Sequence, residues 1–144
     1  MTPEAIFTIC STVALAGWIV LILVPIWHSY DKFVIGIIIT LFCLIYAYLV
    51  FTNFHAGDFA KFGSLQGVMS LFQDPGILVA GWVHYLAFDL LAGVFIRKNA
   101  WKLGIGHWVV VPCLVLTFML GPVGLLLYLL IRFLITKRYF ADNF

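Results

Sequence analysis

The sequence predicts an all-α, polytopic membrane protein: a four-helix transmembrane bundle with a short interfacial helix and a bent or broken last span. Three observations predict it. Charged residues are only 10% of the 144, and hydrophobic residues are 65%. A soluble domain carries about 25% charged residues, so 8 Lys/Arg and 6 Asp/Glu cannot cover a water-exposed globule. Long uncharged apolar runs recur along the chain, each near the roughly 20 residues that a bilayer crossing needs. Four such runs use up the length, which leaves one transmembrane domain over 1–144 and no soluble domain.

The first span is expected over about 4–27. Pro3 and Glu4 suit a helix start, because proline lacks an amide hydrogen the first turn cannot use and an acid faces the positive dipole end. Pro25, Trp27, His28 and Tyr30 mark an aromatic exit. The second span, about 33–54, is uncharged and ends at His55, Ala56, Gly57 and Asp58. The segment at about 59–73 is too polar to cross. Phe62, Leu65, Met69 and Phe72 recur at helical spacing, which predicts an interfacial helix, or else a lid over a cavity between the spans. Asp74-Pro75 restarts a helix for the third span, about 75–97, by the same capping logic.

The fourth run, about 107–136, is longer than one crossing and is interrupted by Gly121-Pro122. Proline removes a backbone hydrogen bond, so a kink or break is expected there. One bent crossing is favoured over a re-entrant or five-crossing arrangement. With four crossings, Lys61, Lys137 and Arg138 lie on one side and Lys32, Arg97, Lys98 and Lys102 on the other. Three against four leaves the positive-inside rule silent, whereas a fifth crossing would move the C-terminus and make the bias strong.

A net charge of +2 with no basic run argues against a nucleic-acid partner. Cys10, Cys43 and Cys113 sit in apolar runs without CxxC spacing and read as small buried hydrophobes. The N-terminus lacks the basic region of a signal peptide and the Arg/Ser richness of a transit peptide. The first run is therefore expected to stay as an anchor, in a bacterial inner membrane or a mature organellar form.

Asp89 is the one acid deep inside an apolar run. Insertion of an acid costs about 2.5–3.5 kcal/mol, and such a group normally faces the bundle interior. At 100° per residue, Trp82, Tyr85, Ala92 and Gly93 share its face, while His84 lies roughly 140° around the helix. Two readings of Asp89 stand. It is either a structural carboxyl bonded across helices to Tyr46, Tyr128 or Thr117, or an acid that serves chemistry or binds a polar ligand group. Arg132, in the last run, either reaches to the interface or pairs with Asp89. No GxGxxG or Walker A sequence occurs. His28, His55, His84 and His107 lack HxxxH spacing, so no cofactor and no metal are expected, and whatever chemistry exists should be acid–base.

The string Gly81-Trp82-Val83-His84-Tyr85-Leu86-Ala87-Phe88-Asp89-Leu90 closely resembles the abscisic-acid-deficient-four family of small four-span membrane proteins. Pro112-Cys113, Leu116-Thr117-Phe118 and Gly121-Pro122-Val123-Gly124-Leu125-Leu126-Leu127-Tyr128 carry the same resemblance. So do Gly57-Asp58-Phe59, Leu65-Gln66-Gly67-Val68, Pro25 and Trp27. One position departs: the family commonly has an Arg after the glycine that follows the FDL string, and here Gly93 precedes Val94, with Arg97 next. Plant members are required to make neoxanthin from violaxanthin in plastid membranes. The resemblance thus implies a neoxanthin synthase-like, cofactor-free isomerase of a carotenoid epoxide or related isoprenoid. In that reading Asp89 donates a proton, and His84, Tyr85 or Tyr128 removes one or orients the end group. Trp82, Tyr128, Thr117 and Gly93 would contact the ligand. Expected partners are membrane lipid, a carotenoid or other isoprenoid, and a second copy of the chain. A non-catalytic pigment- or lipid-binding scaffold is the alternative, and a small proton-coupled transporter is a weaker one.

Overall fold

The computed structural model describes residues 1–25 and 29–137, and among these there is no strand. Trp27, His28 and Arg138, named above, lie outside the described residues.

Helix α1, Pro3–Leu23, starts where the local signals place it. Thr2 caps it by accepting the Ala5 N–H, Pro3 opens it and Glu4 stands in its first turn. Helix α2, Tyr30–Asn53, begins earlier than expected and contains a wide π-helical turn over Val34–Ile39. The Thr40 hydroxyl donates to the Ile35 carbonyl at 2.9 Å within this widened stretch.

The expected interfacial helix is two pieces, a 3-10 helix Ala56–Gly63 and α3, Leu65–Leu71. The break falls at Ser64, whose extended backbone (φ −148°, ψ 151°) lets its hydroxyl accept the Gly67 N–H at 3.1 Å and cap α3. A serine at this position serves the start of a new helix better than the interior of an old one. Phe59 and Phe62 pack their rings on Phe54, with centroids 5.0 and 5.7 Å away.

Asp58 ties this turn together. It accepts the His55 N–H at 2.9 Å and pairs with Lys61 Nζ at 2.7 Å. The Lys61 hydrogen bond, helped by the His55 amide, holds the Asp58 carboxyl below the usual carboxylate range. A lowered folded value means stability that is present above the unfolded value of about 3.9 and lost as pH falls through the lower folded one. Hydrogen exchange at the His55 amide, corrected for its intrinsic rate, should therefore show level protection from pH 7 to 5. Protection should fall only below about pH 4. Asp58→Asn should show weak protection throughout; wild-type protection in that variant would remove Asp58 as the clasp.

Helix α4, Pro75–Lys102, is capped by Asp74, whose Oδ1 accepts the N–H groups of Gly76 and Ile77 at 2.8 and 3.0 Å. Its 28 residues reach about 42 Å at 1.5 Å each, beyond the ~30 Å hydrocarbon core. Half of its apolar window is buried, against a third or less for α1 and α2, so α4 is the central helix. Among the described residues, α1, α2 and α4 are the three helices long and apolar enough to cross a membrane.

The fourth run does not continue as one bent crossing. It is broken, as Gly121-Pro122 predicts, into α5, His107–Leu120, and α6, Pro122–Thr136. Gly121 takes φ 45° and ψ −98°, and the chain doubles back. In a continuous helix Cys113 and Gly124 would lie about 16 Å apart. Here a Cβ on Gly124 would stand 2.4 Å from the Cys113 carbonyl and 2.1 Å from the Thr117 nitrogen. The two halves therefore lie side by side and antiparallel. The four-span count is not confirmed: the described residues form three helices of spanning length and one helical hairpin.

Contacts set the directions. α1 runs parallel to α4, with Ser11 beside Trp82 and the C-terminal end of α1 beside Arg97. α2 runs antiparallel to α4, with Asn53 against Gly76 and Tyr46 against His84. α5 starts where His107 meets the Ile22 carbonyl and ends at Asp89. α6 returns to Asn99 through Tyr128. The α6 terminus thus lies at the Lys102 end of α4.

Candidate functional site

Asp89 stands at the midpoint of α4 with 8% exposure. The hairpin turn sits directly on it: a Cβ on Gly121 would lie 2.7 Å from Asp89 Oδ1. Only glycine suits that turn, since its positive φ disfavours side chains and the carboxyl fills the space a side chain would need. α6 begins at Pro122, so the positive end of its dipole adjoins the carboxyl.

Tyr85, one turn earlier on α4, has its hydroxyl close enough to the Asp89 carboxyl for the two groups to interact. The other carboxyl oxygen, Oδ2, is buried and has no hydrogen-bond partner. A buried polar atom without a partner costs free energy unless something supplies one. Among the buried side-chain atoms of the described residues it is alone in this condition.

From Tyr85 an aromatic ladder leads outward. Trp82 lies 5.3 Å from Tyr85 and Phe7 lies 5.2 Å from Trp82, centroid to centroid. Trp82 Nε1 donates to Ser11 Oγ at 3.0 Å, which fixes the indole between α1 and α4. Beside it is an apolar groove of about 330 Å³ that Phe7, Phe72, Leu78 and Trp82 line.

The other expected site residues are elsewhere. His84 is exposed on a different face of α4, stacked 4.5 Å from Phe88 and 5.5 Å from Tyr46. That is the 140° offset of the helix wheel made real. Tyr128 is fully buried and donates to Asn99 Oδ1 at 2.5 Å. Thr117 donates to the Cys113 carbonyl at 2.8 Å and packs on Gly124. Gly93 is covered by Trp18, whose ring a Cβ there would meet at 2.9 Å. None of the three partners that a structural carboxyl would use (Tyr46, Tyr128 or Thr117) bonds to Asp89 in these contacts. Arg132 is buried, and about 16 Å of helix separates it from the Gly121 turn. Among the described residues no three of His, Cys, Asp and Glu come together.

The sequence profile of the ABA DEFICIENT 4-like family matches residues 5–128. The chain belongs to the ABA DEFICIENT 4-like family. No curated protein and no solved structure matches it significantly. The matched stretch of this ABA DEFICIENT 4-like chain includes the ladder, Asp89, the hairpin turn and Tyr128.

Two contributors were not singled out in the sequence. Gly121 is legible as a break but not as the neighbour of Asp89, because that contact joins positions 32 residues apart. Asn99 reads as part of a basic helix end beside Lys98. Its burial and its bond to Tyr128 depend on α6 returning alongside α4. The one signal available was an amide within reach of the last helical turns of a long run.

Proposed function

We propose that this chain is an integral membrane protein, of a bacterial inner membrane, that isomerises a carotenoid epoxide or related isoprenoid by cofactor-free acid–base chemistry. The observation that carries this reading is the unpartnered Oδ2 of Asp89 at mid-depth, at the inner end of an aromatic ladder. The polyene lies along Phe7, Trp82 and Tyr85, and its oxygenated end group reaches Oδ2. Asp89, protonated, donates to the epoxide oxygen as the C–O bond breaks. A proton then leaves the neighbouring carbon and returns to the Asp89 carboxylate through the Tyr85 hydroxyl. Atoms and electrons balance: one proton is given to oxygen, one is taken from carbon, and the product is an isomer. Positioned acid–base groups of this kind supply about 10² to 10⁴-fold in rate. His84, on another face, takes no part at the same atom.

Expression in a carotenoid-producing host tests this by comparing extracted pigments. Wild type and His84→Ala should shift the pigment profile equally. Asp89→Asn should abolish the shift, and Tyr85→Phe should weaken it by roughly 10²-fold. A shift that persists in Asp89→Asn would sink the mechanism. Unconverted pigment that co-purifies with every variant would make the chain a binding scaffold instead.

A further inference from the structure

At the other end of α4, Arg97 is 5% exposed and carries the C-terminus of α1. Its Nη1 donates to the carbonyls of Val20 and Leu21 at 3.0 and 3.3 Å, and its Nη2 to Val24 at 2.5 Å. Its guanidinium carbon also lies 3.8 Å from the centre of the Tyr30 ring. All these partners are neutral. The end of a helix offsets only about half a unit charge, so the site keeps a positive balance. Asp31, next to Tyr30 in the chain, is taken up by Lys98 at 2.5 Å.

Arg97 faces a cavity of about 250 Å³, shared with Lys98, Tyr30, Trp101 and His107. That is several times the ~30 Å³ that a water molecule occupies in the liquid. His107 Nε2 meets the Ile22 carbonyl at 2.9 Å; since a carbonyl only accepts, Nε2 carries the hydrogen and donates. α5 starts at this same cavity with no side-chain cap on its first amides, and its dipole adds further positive potential there. Arg97 lies five residues, about 7 Å, inside the end of α4. That depth, with Trp101 and Tyr30 alongside, is the headgroup level of a bilayer.

We propose that this cavity holds the headgroup of an anionic phospholipid. Arg97 and the α5 amides face its phosphate, Lys98 lies at the rim, and the acyl chains run down the outside of α1 and α5. The site is separate from Asp89 and stands or falls independently of the isomerase reading. Binding should depend on net negative charge, because each nearby basic residue contributes roughly fivefold to anionic lipid affinity.

The test uses full-length protein in neutral detergent, with thermal unfolding read as phosphatidylglycerol, phosphatidylcholine or inorganic phosphate is added. Phosphatidylglycerol should raise the midpoint saturably, and phosphatidylcholine should not. Arg97→Gln should weaken the phosphatidylglycerol effect at least fivefold. Because Arg97 also caps α1, a second variant guards against misfolding: Asp31→Asn frees Lys98 and should tighten the response by roughly fivefold. Equal responses to the two lipids, or an Asp31→Asn protein that responds like wild type, would overturn the proposal. Stabilisation by inorganic phosphate as strong as by the lipid would overturn the lipid as its source.

Discussion

A reporter fused after Lys137 is expected to read out from the same side of the membrane as one inserted at Gly104, and from the side opposite one at Met1. The prediction follows from the hairpin. α6 runs back along α4 from Asp89 toward Asn99, so Lys137 emerges where Lys102 does. Among the described residues, Lys32, Lys98, Lys102 and Lys137 then share one end with the buried Arg97, and Lys61 alone is at the other. Three against four has become five against one. Basic residues near span ends stay on the cytoplasmic side, which predicts that the Lys137 end of α6 faces the cytoplasm and Met1 the opposite side. Gly104 is a sound insertion point, exposed and with φ 69°. If the Lys137 and Gly104 reporters fall on opposite sides, α5 and α6 form one crossing and the hairpin is wrong.

The second large effect is at Gly124. A single added carbon there meets the Thr117 hydroxyl at 2.3 Å and also backbone, at 2.1 Å from the Thr117 nitrogen and 2.4 Å from the Cys113 oxygen. Backbone cannot swing aside, so Gly124→Ala should force α5 and α6 apart. Overpacking of this kind costs about 1–3 kcal/mol, and more where nothing yields; we expect about 3 kcal/mol or a failure to accumulate. Gly36→Ala is the control. Nothing lies within 4 Å of its new carbon, and alanine in place of a helical glycine gains about 0.5–1 kcal/mol. Thermal unfolding in detergent should thus show opposite signs for the two variants. A Gly124→Ala protein as stable as wild type would rule out the close packing of the hairpin.

Helix starts were legible because their causes are local. Thr2-Pro3-Glu4 and Asp74-Pro75 each carry a cap and a first-turn proline within three residues, and both helices start there. Asp89 was legible for a different reason: one acid in an uncharged run has no bland solvent-exposed reading. Tyr85 followed from it by a one-turn spacing. The reversal at Gly121 was not legible as such. A glycine–proline pair announces a break, but its angle is decided by whether the next turn finds a groove, and that groove is Thr117 and Cys113 on the preceding helix. The segment after Asp58 failed in a smaller way. Its apolar spacing continues through Ser64, yet the serine hydroxyl captures the Gly67 amide and restarts the helix.

α5 and α6 both stop at the level of Asp89. Five helical cross-sections therefore fill one half of the described structure, and three fill the other. The molecule is a wedge, broad in the leaflet with the lysines and narrow in the opposite one. Beneath the tip of the hairpin no further helix of the described residues continues α5 or α6 across the narrow half. A tapered outline is expected to fit best where the membrane itself bends, which comparing the protein's uptake into small and large vesicles would check.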